Sequence, residues 1–160
     1  MTLQDIYHFL ALDDKLFTSG MPTADQLSDA SRSGVQAVIN LAMPDSDNAL
    51  RDEASIVRSL GMKYVGIPVV WDHPMHRDLD EFMDAMDANR EATLLVHCQA
   101  NYRATGFITL YRVLRLGWEP DEAFKDLRRI WNPEEYPVWK KFMEENLATG
   151  PHRPASEVGP

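Results

Sequence analysis

His97-Cys98, followed by a lone Arg103, closes an apolar run from Ala92 to Val96. A cysteine attacks as its thiolate, and a positive setting lowers the thiol pKa. Arginine offers a planar fork of donors that matches a tetrahedral oxyanion. Beyond the arginine, Phe107, Ile108, Leu110, Val113, Leu114 and Leu116 recur at helical spacing, so the order reads as buried strand, tight loop and helix. The unpaired N–H groups and positive dipole end of such a helix point back into the loop. The loop is then an anion cradle with Cys98 at its mouth. A thiolate facing the central atom of a bound anion is an arrangement for covalent catalysis.

Each of these residues has a plainer role to weigh. A single cysteine is often a small buried hydrophobe; the strand–Cys–loop–Arg–helix setting favours a functional thiolate. Arg103 could pair with a surface carboxylate, but an arginine at a helix start opposes the dipole and calls for an anion. His97 either bonds the loop backbone or helps depress the thiol pKa, and the two roles are compatible. Asn101 stands where an anion nest wants positive φ, which Asn tolerates. Gln99, Ala100 and Tyr102 offer backbone N–H groups, and Tyr102 is either an aromatic rim for substrate or simple packing. Ala104 and Thr105 complete the candidate binding stretch. Thr105 either hydrogen-bonds the leaving thiolate or sits in the first helical turn. A general acid is also needed, and Asp72 is the favoured carboxylate over Asp45, Asp47 and Asp78. His73 and His76 lack a matching ligand set, so no metal is expected.

These residues need elements to carry them. Thr23-Ala24-Asp25-Gln26 has capping-box spacing and predicts a helix to Arg32, with Gly34 near its end. Strands are expected at 15–18 (an edge strand), 35–41, 62–70 and 92–97, although Pro68 argues for a strand end or irregularity. Helices are expected at 50–60, 78–89, 121–131 and 135–147. Residues 1–14 read as a lead-in. Strands alternating with helices imply a three-layer α/β/α fold around a small, mainly parallel sheet. Function in such sheets gathers at the carboxyl ends of the strands. Loops 42–49, 71–76 and Cys98–Arg103 should therefore share one edge, which is the basis for pairing Asp72 with Cys98.

The chain has 160 residues, and one domain over 1–149 is expected, burying roughly 70% of its unfolded surface. The tail 150–160, with its prolines, reads as disordered. A formal charge of −9 argues against nucleic acid or an acidic membrane surface as partner. Cys98 is the only cysteine, so no internal disulfide forms, which suits a reducing cytoplasm. No signal-peptide pattern or long apolar span is evident, and no Gly-x-x-x-x-Gly-Lys-Ser/Thr motif occurs.

The residues resemble the cysteine-dependent tyrosine and dual-specificity phosphatases, whose signature is His-Cys-x5-Arg-Ser/Thr. The likeness is stronger to a bacterial branch that includes the phosphatase-like domain of beta-lactamase-hydrolase-like proteins. It rests on Ser19-Gly20-Met21-Pro22-Thr23, Val38-Ile39-Asn40-Leu41, Tyr64-Val65-Gly66-Ile67-Pro68-Val69 and Leu95-Val96-His97-Cys98, and covers roughly 15–117. The resemblance implies that Cys98 forms a phosphocysteine, that Arg103 binds the phosphoryl oxygens, and that Asp72 is the mobile-loop general acid. It implies no cofactor. The partner would be a phosphorylated protein or small phosphate ester, with phosphate or sulfate in the loop. One departure stands out: four residues, not five, separate Cys98 from Arg103. Rhodanese-like sulfurtransferases also use a six-residue loop with Cys first and Arg last. Sulfur transfer through a Cys98 persulfide, or a phospho-ligand binding module of low turnover, are therefore the alternatives.

Overall fold

Alternation along the strands builds the sheet. Ala37 and Ile39 enter one apolar cluster and Val38 the other; Leu94 and Val96 against Leu95 repeat the division. A sheet apolar on both faces must be covered on both. The computed structural model describes residues 2–149 and has this layering.

Among the described residues the sheet comprises β1 (Leu10–Ala11), β2 (Leu16–Ser19), β3 (Ala37–Asn40), β4 (Lys63–Gly66) and β5 (Leu94–His97), in the order β1-β2-β5-β3-β4. Strands β2, β5, β3 and β4 run parallel, and β1 pairs antiparallel to β2. The stretch 15–18 was expected at the edge. It lies one place inside, because β1 covers it. Two residues are too few to leave a readable alternation, and β1 was hidden in the lead-in for that reason.

Six α-helices flank the sheet among the described residues. Helices α1 (Ala24–Arg32) and α2 (Glu53–Ser59) cover one face, with Leu27, Ala30 and Val57 against Val38 and Leu95. The other face carries α3 (His76–Ala88), α4 (Tyr102–Leu114), α5 (Pro120–Leu127) and α6 (Pro137–Ala148). Helix α3 buries Leu79, Phe82, Met83 and Met86, the apolar stripe read from its spacing. Each such fully buried side chain contributes about 1.5–3 kcal/mol relative to exposure.

Local chemistry sets the ends of these elements. Thr23 Oγ1 accepts from Gln26 N at 3.1 Å and Gln26 Oε1 from Thr23 N at 2.9 Å, the expected reciprocal cap of α1. Gly34 follows α1 at φ 100°. Helix α2 starts at Glu53 rather than Leu50, because Asp52 adopts the left-handed region at φ 56° and interrupts the helix. After β4, Ile67 N still bonds Asn40 O at 2.9 Å and Val69 N bonds Leu41 O at 3.0 Å. Pro68 falls between these two donors, where its missing N–H costs nothing. No helix among the described residues is long and apolar enough to cross a membrane. The tail expected at 150–160 lies outside the described residues.

Replacing Thr23 by Ala removes the α1 cap and should cost about 1 kcal/mol. Calorimetry should then show the unfolding midpoint lower by about 2–4 °C.

Candidate active site

Four parallel strands direct their carboxyl ends to one edge, and β5 places His97 and Cys98 in its middle. The chain makes only a short turn before α4 begins at Tyr102. Asn101 allows this: at φ 70° it occupies the left-handed region and serves as the N-cap residue of the 13-residue helix. Its carbonyl accepts from Thr105 Oγ1 at 2.7 Å and from Thr105 N at 3.2 Å. Arg103 is therefore the second residue of α4, beside the helix's unpaired N–H groups.

Cys98 is 1% exposed and lines a cavity of about 280 Å³. Gln99, Ala100, Tyr102 and Arg103 line the cavity with it, together with Trp71 and Tyr136. Arg103 is 5% exposed and donates from Nη1 to Val69 O at 2.7 Å, which holds its side chain against the end of the Ile67–Val69 extension. A guanidinium has five N–H donors, so this bond leaves most of the fork free for an anion. The cavity adjoins a second one of about 510 Å³, with Tyr102 and Tyr136 as common wall and Arg128 and Trp131 beyond.

Other candidates fall elsewhere. Asp72 is exposed in the turn closed by His73 N to Val70 O at 3.0 Å, one residue along from Trp71, and does not line the cavity. Ala104 packs into the core cluster on the α4 side of the sheet. Thr105 is 1% exposed; besides bonding Asn101 O it accepts from Trp131 Nε1 at 2.9 Å. Asn101 is fully buried and donates from Nδ2 to His8 O at 2.8 Å and Thr18 Oγ1 at 2.9 Å. His76 bonds Asn146 Oδ1 at 2.9 Å through Nδ1.

His97 has a partner absent from the sequence reading. Its Nε2 lies 2.6 Å from Glu53 Oε2, with His97 0% and Glu53 5% exposed, and its Nδ1 lies 3.4 Å from Cys98 O. Asn40 extends the network, donating from Nδ2 to Tyr64 Oη at 3.2 Å and to Glu53 Oε1 at 3.5 Å, while its Oδ1 accepts from Ala42 N at 2.8 Å. Burial raises the Tyr64 hydroxyl pKa above the ordinary phenol value; the Asn40 bond opposes this and the Glu53 charge reinforces it. Burial also raises the pKa of Tyr102, with the Tyr136 hydrogen bond adding to it. Both phenols stay neutral in neutral solution.

Sequence reasoning passed over Glu53, Trp71 and Tyr136. Trp71 directly follows the Ile-Pro-Val-Val stretch and so marks the strand-end edge. Glu53 and Tyr136 carry no local signal, since each reaches the site only through the packing of a helix.

Comparison with known proteins extends the picture. The chain is similar to the solved structure of a candidate phosphatase of the DUF442 family from Shewanella putrefaciens CN-32. That pair has 39% identity and a TM-score of 0.85, covering 94% of this chain and 97% of that one. The crystal structure of TpbA from P. aeruginosa shares the fold, with a TM-score of 0.70 at 17% identity over 87% of this chain and 84% of that one. Among curated sequences, a beta-lactamase hydrolase-like protein of Xylella fastidiosa (strain Temecula1 / ATCC 700964) is 29% identical over 116 residues. That match covers 70% of this chain and 26% of the relative, so the chain spans about a quarter of that relative's length. The dual specificity protein phosphatase TpbA of Pseudomonas aeruginosa (strain UCBPP-PA14) is 26% identical over 116 residues, 71% of this chain and half of that protein. No family model matches the sequence.

Truncating Glu53 to Ala strands a buried imidazole N–H, a loss of about 1–3 kcal/mol. The unfolding midpoint should fall by about 2–12 °C. Glu53→Gln keeps an acceptor for His97 and should lose less than half as much in the same calorimetric scan.

Proposed function

The chain belongs to the DUF442 family, within the superfamily of cysteine-dependent tyrosine and dual-specificity phosphatases, and on that premise we propose that it hydrolyses phosphate monoesters through a phosphocysteine at Cys98. The observation that carries the proposal is the shared cavity. Cys98 and Arg103 line it together, joined by the loop backbone between them, at the carboxyl ends of the parallel strands.

In this reading the phosphate seats on the loop N–H groups, the α4 N-terminus and the free donors of Arg103. The Cys98 thiolate attacks phosphorus; an S–P bond forms as the P–O bond to the leaving group breaks. Arg103 and the loop donors meet the charge on the equatorial oxygens. Asp72 gives its proton to the leaving oxygen, which requires the Trp71–Pro74 turn to carry the carboxylate inward. The resulting carboxylate then takes a proton from water as water attacks phosphorus, and the S–P bond breaks to release phosphate.

Trp71, Tyr102 and Tyr136 line the cavity with rings tilted or edge-on to one another, an aromatic surround suited to an aromatic leaving group. A solved structure of TpbA holds phosphotyrosine, which supports the same class of ligand here. The protein as a whole would take a phosphorylated protein or a small phosphate ester.

A second reading draws on the six residues from Cys98 to Arg103. The thiolate would attack the outer sulfur of a donor such as thiosulfate, expelling sulfite and leaving a Cys98 persulfide. Mass spectrometry after thiosulfate treatment tests it; an unmodified Cys98 excludes it.

Hydrolysis of p-nitrophenyl phosphate, followed across pH 5 to 8, decides the main proposal. Cys98→Ser should abolish turnover, and Arg103→Ala should lower kcat/KM about 10²–10³-fold. Asp72→Asn should slow turnover about 10²-fold and flatten the fall in rate on the basic side. A wild-type protein that binds phosphate without turnover, or a Cys98→Ser protein as fast as wild type, would overturn it.

A further inference from the structure

The cradle depends on residues outside its own loop. A loop aims its N–H groups at an anion only if its carbonyls turn the other way, and a protein donor bonded to each carbonyl holds it there. Gln99 O accepts from Met21 N at 3.2 Å and from Asn48 Nδ2 at 3.1 Å. Ala100 O accepts from His8 Nδ1 at 2.9 Å. A carbonyl only accepts, so Nδ1 of His8 carries the hydrogen. None of Met21, Asn48 and His8 lines the cavity over Cys98, so these carbonyls face away from it.

His8 is held as tightly as it holds. Its own carbonyl accepts from Asn101 Nδ2 at 2.8 Å, so the two segments are bonded in both directions. Both residues are in the left-handed region, His8 at φ 51° and Asn101 at φ 70°. Positive φ is uncommon outside glycine, and His and Asn are among the residue types that adopt it most readily. The His8 ring stacks on Tyr7 at 4.0 Å between centroids and lies parallel to Tyr102 at 6.5 Å. Behind it, Gly20 N bonds Tyr7 O at 2.7 Å. A Cβ on Gly20 would stand 2.7 Å from the Tyr7 ring and 2.9 Å from Gln99 O, so only glycine lets the N-terminal segment and the loop close on one another here.

We infer that His8 is a positioning residue for the phosphate-binding loop, acting through Ala100 O to keep the Gln99–Asn101 peptides turned toward the oxyanion. The N-terminal segment is thus a working part of the site. The kinetic consequence rests on the phosphatase reading; the structural one does not.

The experiment compares His8→Asn, His8→Gln and His8→Phe with wild type. An Asn amide nitrogen falls where Nδ1 stands, and Asn tolerates positive φ. A Gln amide reaches to the Nε2 position instead, and Phe keeps the stacking without a donor. Amide hydrogen exchange over residues 98–102, read by mass spectrometry without ligand, should speed up about tenfold in His8→Gln and His8→Phe and stay near the wild-type rate in His8→Asn. With p-nitrophenyl phosphate, kcat should fall about tenfold in the first two, KM should move less than about threefold, and His8→Asn should recover the rate. Exchange unchanged in His8→Gln, or His8→Asn exchanging as fast as His8→Gln, overturns the inference whatever the activity. Wild type without turnover but with the expected exchange pattern overturns the phosphatase reading and leaves the positioning role standing. Full turnover in both His8→Gln and wild type does the reverse.

Discussion

Backbone N–H groups bind an anion well because they are already fixed, and in this protein their fixing falls to the carbonyls between them. Along Gln99–Asn101 each carbonyl has a donor: Met21 N with Asn48 Nδ2, His8 Nδ1, and Thr105 Oγ1. The donors come from four places in the chain, each delivered by a different element or turn. The sheet sets their meeting point, because β2 and β3 flank β5 and bring the Gly20–Met21 turn and the 42–49 loop to either side of the cysteine. These contacts hold the turn in one conformation. Under the proposed function this is preorganisation in its electrostatic sense, with the dipoles oriented before the charge arrives.

The C-terminal helices extend that support to the cavity wall. Trp139 Nε1 bonds Trp71 O at 2.8 Å, tying α6 to the loop that follows β4. Trp131 Nε1 bonds Thr105 Oγ1, and the Trp131 ring stacks on Tyr102 at 5.1 Å with planes 4° apart. Gly106 makes the approach feasible, since a Cβ there would lie 3.1 Å from the Trp139 ring. Stacked and edge-on indoles contribute about 0.5–1.5 kcal/mol per pair beyond their burial. The aromatic cluster thus ties α4 and α6 to the wall of the cavity beside the cysteine.

What was legible in the sequence follows from how local each signal is. The strand ending in His97-Cys98, the capped helix at Thr23 and the stripe of α3 are periodic or contiguous, and the structure has them where the spacing put them. So is the sharing of one edge by the 42–49 loop and the Cys98 loop, seen in the Asn48 to Gln99 bond. The Glu53–His97 contact spans 44 positions and the His8–Ala100 contact 92, and neither leaves a periodic trace. Residues 1–14 looked like a lead-in because a bonded, irregular segment has the same polar, mixed composition as an idle one. Thr105 shows a different limit. Its type and place suited either the thiolate or the helix turn, and the acceptors that engage its hydroxyl belong to the helix.

The short span between Cys98 and Arg103 is an electrostatic matter as much as one of ring size. Because Asn101 turns left-handed, the chain enters α4 at once, and the arginine stands on the second helical residue. A fixed cation and the positive end of a 13-residue helix are then side by side, an unfavourable pair worth about 0.3–1 kcal/mol when exposed and more when half-buried. The Val69 carbonyl relieves part of this by accepting one guanidinium hydrogen at 2.7 Å. The remaining donors and the helix N–H groups are best satisfied together by a single small anion, and a tetrahedral oxyanion has enough oxygens to meet both. Under the proposed function, the short loop brings the two positive features together around one ligand, with Cys98, directly after β5, lining the same cavity. On the same proposal, a ring with one backbone N–H fewer would shift a larger share of the oxyanion's charge onto Arg103 than a longer loop would.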